Sequence, residues 1–200
     1  MTYTVDQFGP NDLLTSKKIA IRRVQVDPGN TGFFDGREVR FFRELNIPAG
    51  ESVWTRFIID SNEDGIIVRN QSIELDAGYV RFRVWTDTAL TTPPTWEAPD
   101  GLTSNLLPNN TLPTAPAWTI KTTVENGGNA DPTFTETPQV IDMLRARSSG
   151  ATAQASSAYL SATGERGAGP GTFFLQFENL GNSTATGLYN IIFEERIGQG

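Results

Sequence analysis

The chain contains no cysteine and no histidine among its 200 residues. The first absence excludes disulfides, thiolate metal sites and cysteine nucleophiles. The second removes the commonest general base and the commonest transition-metal ligand. Serine–histidine triads, cysteine–histidine dyads and histidine-ligated zinc are therefore excluded together. Basic residues are in the minority: 16 Lys and Arg against 23 Asp and Glu leave a formal charge of −7. Such a balance argues against a broad nucleic-acid surface. No apolar run approaches the ~20 residues of a membrane-spanning helix. The opening MTYTVDQFGPNDLL has neither a cationic start nor an apolar middle, so no export signal is expected there.

What is present is a series of short β-rich runs separated by turn residues. A chain of this length can bury roughly 70% of the surface it exposes when unfolded, so a core without covalent staples is feasible. KKIAIRRVQV (17–26) is followed by DPGN and FFDG, two turn signals. REVRFFRELNI (37–47) places Val39, Phe41, Leu45 and Ile47 on one face, with Arg43 breaking the pattern. ESVWTRFIID (51–60) does the same with Val53, Phe57 and Ile59. GYVRFRVWT (78–86) alternates Val80, Phe82 and Val84 against Tyr79, Arg81, Arg83 and Trp85. AWTIKTTV (117–124), QVIDMLRAR (139–147), TFFLQFEN (172–179) and GLYNIIFEER (187–196) complete the main set, and GIIV and QSIEL add to it. The period is two rather than 3.6 in most of them, although Val140, Met143 and Leu144 could also line a short helix. An all-β, jelly-roll-like β-sandwich with extended loop or arm segments is the expected fold.

Three segments depart from this pattern. Residues 1–16 read as an N-terminal arm carrying Phe8, Leu13 and Leu14, ahead of a single sandwich domain over 17–200. Residues 87–116 form a long Pro-rich loop. It holds too many apolar groups for a free linker: Trp96, Leu102, Leu106, Leu107 and Leu112. The small-residue stretch SSGATAQASSAYLSATGERGAGPG suggests a mobile or edge region.

The motifs that resemble chemical sites have simpler structural readings. DSNEDG (60–65) opens like a calcium loop, with Asp60, Asn62, Asp64 and Gly65 in place. Its twelfth position is Gln71 instead of a bidentate acid, and its flanks read as strands. A tight Asp-Gly hairpin turn is favoured over a metal site. Glu194 and Glu195 are neighbours on a strand, so they point to opposite faces and cannot share a substrate. GERGAGPGT lacks both the dinucleotide fingerprint and the Gly-Lys-Ser/Thr ending, and it leads into a strand. The sequons at Asn70, Asn109 and Asn182 are read as accidental. The expectation is a protein that is not an enzyme, with no catalytic residues, metal or cofactor.

The Tyr79, Arg81, Arg83 and Trp85 face stands out. These side chains project to one side in steps of about 7 Å. Tyr, Trp and Arg are the types enriched at interface hot spots. The face could be a protein–protein interface, a carbohydrate platform aided by Trp54, Trp96 and Trp118, or a second buried face covered by the 87–116 loop. Cover by that loop or by a neighbouring subunit is favoured. Tyr79, Arg81, Arg83, Trp85, Trp96, Leu106 and Leu107 are the interface candidates.

DPGNTGFFDGREVRFFRELNIPAGES and GTFFLQFENLGNSTATGLYNIIFEER carry a resemblance. The D-P-G-x-T-G-F-F-x-G-R turn, the L-N-I-P-A-G strand entry and the L-G-N-x-T-A-T-G loop are similar to those of small all-β virion structural proteins of tailed bacteriophages. The middle of the chain is not covered, and the motifs name no active site. The resemblance implies a head decoration or cement protein of the virion, assembled in the bacterial cytoplasm. It would bind the major capsid protein or other virion proteins as a homo-oligomer, a trimer being favoured, with no nucleic-acid or membrane partner. A tail or fibre-anchoring protein and a carbohydrate-binding module for cell-surface attachment are the alternatives.

Overall fold

Val39, Phe41, Leu45 and Ile47 all turn inward from one strand, as a spacing of two requires. The computed structural model describes residues 2–4, 23–25, 31–60, 65–86, 94–110, 118–128, 133, 140–148 and 166–196. In chain order the strands are β1 (Thr2–Thr4), β2 (Arg23–Gln25), β3 (Glu38–Ile47), β4 (Ser52–Ile59), β5 (Ile66–Ala77), β6 (Tyr79–Thr86) and β7 (Trp96–Glu97). They continue with β8 (Ser104–Pro108), β9 (Thr123–Gly127), β10 (Val140–Arg147), β11 (Arg166–Ala168), β12 (Gly171–Asn179) and β13 (Ala185–Glu195). The four-residue helix α1 (Thr31–Phe34) precedes β3. Its last residues begin the FFDG turn, in which Gly36 N donates to the Phe33 carbonyl at 3.2 Å.

The architecture is a β-sandwich. One sheet runs β10-β6-β12-β4-β9-β7, the other β11-β5-β13-β3-β8, and β1 pairs with β2 in a separate ladder. The described pairings are antiparallel, and four of them are concentric. β3 pairs with β13, β4 with β12, β5 with β11 and β6 with β10. A long ribbon folded over itself gives this pattern, with each pair placed alternately in one sheet and the other.

Chain neighbours therefore seldom pair. β4 lies in the six-stranded sheet and β5 in the five-stranded one, so DSNEDG is not the turn of a hairpin. Residues 61–64 lie outside the described residues, but Gly65 has a φ of 103°, the positive value expected of it. The joint between β5 and β6 is the single residue Gly78, φ 93°, where an added Cβ would stand 2.6 Å from the Cβ of Ala185. Only glycine makes so sharp a sheet change at that approach. The run 171–196 also crosses between sheets, with Leu180–Thr184 joining β12 to β13.

Four other expectations are refined. GIIV and QSIEL are parts of one strand, β5. QVIDMLRAR is a strand with a bulge between Val140 and Asp142, and not a helix. The 117–124 run becomes ladder only from Thr123. The Pro-rich stretch 87–116 holds two strands: β7 extends one sheet beside β9, and β8 extends the other beside β3.

The core fills the space between the sheets. Phe57 meets Phe41 edge-on at 5.5 Å and Phe193 at 5.9 Å. Phe82 stacks on Tyr189 at 5.5 Å, and Phe177 approaches the same ring at 4.9 Å. Burial of these rings is the main favourable term for the fold. One charged group crosses the core. Arg43 on β3 occupies an inward position and donates to the Trp54 carbonyl, to Thr55 Oγ1 at 2.8 Å and to the Gly127 carbonyl at 3.1 Å. Burial lowers its pKa to about 10.

Candidate interaction face

The outer face of the six-stranded sheet is built from alternate residues of β6, β12, β4 and β10. Val80 and Phe82 point to the core, so Tyr79, Arg81, Arg83 and Trp85 must share the opposite side. Register then sets their neighbours. Glu178 on β12 stands opposite Arg81, and Phe174 opposite Trp85. Glu178 Oε2 accepts from Arg81 Nε at 2.8 Å, from Arg81 Nη2 at 2.5 Å and from Arg83 Nη2 at 2.8 Å. Arg145 and Arg147 on β10 face Arg81 and Tyr79 in turn. Both are exposed. The Arg147 guanidinium lies 5.9 Å from the Tyr79 ring centre.

The other half of the face is aromatic and covered. Trp54 and Trp85, only 1% and 8% exposed, cluster with Phe174. Trp96 from β7 stacks on Phe174 at 6.0 Å, and Arg56 lies over Trp96 at 4.8 Å. Trp85 Nε1 donates to Gln176 Oε1 at 3.3 Å, and Gln176 Nε2 donates to Ser52 Oγ at 3.2 Å. The chain's own Trp96 thus supplies cover for the aromatic end. The three tryptophans considered for a sugar platform are not assembled into one. Trp54 is buried, Trp96 is sandwiched, and Trp118 donates its indole N–H to Glu195 at 2.5 Å.

The seven interface candidates therefore fall on two sheets. Tyr79, Arg81, Arg83, Trp85 and Trp96 share the outer face. Leu106 and Leu107 sit on β8, at the edge of the five-stranded sheet. Leu106 packs against the main core, and Leu107 stands opposite Arg40. Sequence reasoning missed Glu178, Arg145 and Arg147, which reach this face only through strand register. It also missed an apolar edge: Val140, Ile141 and Met143 on β10 are 42%, 50% and 52% exposed. No described strand pairs with the far side of β10.

The buried carboxylates hold structure together. Glu194 accepts from Arg37 at 2.8 Å and from Arg69, and the absence of a side chain at Gly32 makes room for it. Glu195 accepts from the backbone N–H groups of Lys121 and Thr122 at 3.0 and 2.7 Å, besides Trp118. The two point to different surroundings, as adjacent strand residues must. Among the described residues no group of three or more Asp and Glu could hold a metal ion.

Two clefts lined by described residues are notable. One of about 550 Å³ lies between the sheets, lined by Ile59, Ile66, Val84, Phe173 and Leu175 with Tyr189 among them. Gln71 Nε2 donates to Tyr189 Oη at 2.8 Å, and burial pushes the phenol pKa up. The other, about 510 Å³, is polar and lies beside β7 and β8, with Glu44, Glu97 and Asp100 on its walls. Asp100 accepts from Thr103 Oγ1 and from the backbone N–H groups of Leu102, Thr103 and Ser104. The Thr103 hydroxyl bond leads these in lowering its pKa to about 2.

The motifs singled out near the two ends of the chain are neighbours in space. Asn179 donates to the Ile47 and Pro48 carbonyls at 2.8 and 3.1 Å, joining the LNIPAG entry to the LGNSTATG loop. At the opposite end Arg37 of FFDGR donates to Glu194 of FEER. The Arg37 contact follows from the pairing of β3 with β13, whereas Asn179 reaches across from the end of β12 in the other sheet. No protein-family model, no curated protein and no solved structure matches the chain.

Proposed function

We propose that this chain is a structural protein of a tailed-phage virion, a head decoration protein that binds capsid subunits as a homo-oligomer. The observation that carries the reading is the β10 edge. Val140, Ile141 and Met143 are exposed side by side next to the arginine face. Natural proteins blunt or cover an open strand edge, and an apolar one invites a partner. The concentric strand pairing supports the same reading. Nested pairing of this kind is what a jelly roll would require, and viral shells share that architecture with lectins and other families. Fold alone decides nothing about function, so the edge and the terminal motifs bear the argument. Many copies, each adding modest contact energy, would stabilise a shell through multivalency. The buried tryptophans disfavour the carbohydrate-binding alternative.

Quantitative mass spectrometry of purified particles carrying this gene tests the proposal. The chain is expected in copy numbers set by the symmetry of the head. Three, six or twelve copies per particle would move it to the tail, and its absence from particles would overturn the reading.

A further inference from the structure

We infer that copies of this chain join head to tail, the β10 edge of one against the β7–β8 end of the next. This rests on the proposal that the chain is a structural protein acting as a homo-oligomer, and names the two surfaces involved.

The first surface is basic and apolar. Arg81, Arg83, Arg145 and Arg147 lie on the outer face of β6 and β10, with Glu178 as the carboxylate bonded among them. Among the described residues, four positive charges less Glu178 and Asp142, which sits between the rim residues of β10, leave +2, on a chain whose total is −7. Val140, Ile141 and Met143 line its rim. The second surface is acidic. Glu44, Glu97 and Asp100 line the polar cleft, and Arg43 is the cation in its wall. Three negative charges less one leave −2, and Arg43 is already committed to three oxygens on the opposite sheet. Hydrogen bonds keep Asp100 ionised, and Leu102 beside it is 84% exposed. Each surface thus pairs charge with an exposed apolar group, and the signs are opposite.

Geometry prevents one copy from satisfying both. β10 and β7 are the two edges of a six-stranded sheet, about 24 Å apart at ~4.8 Å per strand spacing. A twofold contact through β10 would bring together the two copies of the basic face that carries Arg145 and Arg147, and like charges facing each other are unfavourable. A heterologous contact puts them against Glu44 and Glu97 instead. Such contacts generate rings when the rotation closes.

The test is charge reversal, read by sedimentation velocity with circular dichroism to confirm folding. The wild-type chain is expected to be oligomeric. R145E/R147E and E44K/E97K should each dissociate, with self-association weakened at least roughly tenfold. An equimolar mixture of the two should reassociate, because each restores opposite signs at the other's altered edge. A chain carrying all four changes should assemble alone. Full assembly by either two-site variant would overturn the inference, as would a folded four-site variant that stays monomeric. A wild-type chain that is monomeric at high concentration would overturn it too. Presence in particles would still stand or fall separately.

Discussion

Arg43 on β3 donates from Nη2 to the Gly127 carbonyl of β9 at 3.1 Å, so one guanidinium ties the two sheets together through the core. Its three acceptors all belong to the opposite sheet. Removing a buried donor leaves those acceptors without their partner, which costs more than the bonds contribute. Arg43→Ala is expected to lose about 3 kcal/mol in urea unfolding. Arg43→Lys should recover only part of it, since a single ammonium cannot reproduce the planar fork. Equal stability of Arg43→Lys and wild type would show that the fork geometry is unimportant.

Phe82 and Phe193 are fully buried, each against a second ring. Truncation to Ala should cost about 3–5 kcal/mol at either site, the transfer loss plus the cavity left behind. Met143→Ala, on the exposed edge, should change the stability of the isolated subunit by less than about 0.5 kcal/mol. Thermal melts at matched protein concentration separate the two classes.

Glu195 organises residues 118–122 by accepting three N–H groups. Glu195→Ala strands these donors and should destabilise by about 2–4 kcal/mol. Glu195→Gln should not rescue it, because the amide presents donors of its own to a ring of donors. A shift in tryptophan emission from Trp118 should accompany the loss. Unchanged emission in a destabilised variant would place the damage elsewhere.

Much of the sandwich was legible because one face of each strand is buried. A period of two placed Val39, Phe41, Phe82 and Phe193 inside without knowledge of their partners. Pairing was not legible. Asp-Gly between apolar runs reads as a hairpin, yet β4 and β5 belong to different sheets, because a local turn signal does not specify which sheet the chain enters next. Arg43 broke the apolar pattern visibly, but the carbonyl it reaches is 84 residues away. The arginine face was visible along β6, while Glu178, 97 residues from Arg81, entered it only through register. Val140 and Met143 were read on a possible helical face with Leu144, and their exposure with Ile141 was not legible because sequence cannot distinguish an edge strand from a central one.

The pH dependence of the Asp100 loop follows from its hydrogen bonds. The folded carboxyl titrates at about 2, below the ordinary value of about 3.9. A group depressed on folding stabilises the native state above its unfolded pKa and loses that contribution as pH falls through its folded pKa. The stability difference between wild type and Asp100→Ala should therefore be constant above about pH 5 and shrink between about pH 4 and pH 2. The Asp100 carboxyl carbon, followed by NMR, should show its midpoint near pH 2. An ordinary midpoint near 3.9 would mean that the Leu102, Thr103 and Ser104 bonds do not form in solution.

Gly65 separates the turn reading of DSNEDG from the calcium reading. Its φ is 103°, and an added Cβ would fall 2.1 Å from the Ala168 carbonyl oxygen of β11. Gly65→Ala must therefore move β5 against β11 as well as adopt a strained backbone, at a cost of about 2 kcal/mol or more. That cost comes from sterics alone, so it should be the same in excess calcium and in excess chelator. The melting temperatures of the wild-type chain and of Asp64→Ala should likewise be insensitive to either. A ligand bound only by the folded state raises its stability with ligand concentration. A melting temperature that climbs with calcium, and stops climbing in Asp64→Ala, would establish a metal site where the strand geometry requires only a turn.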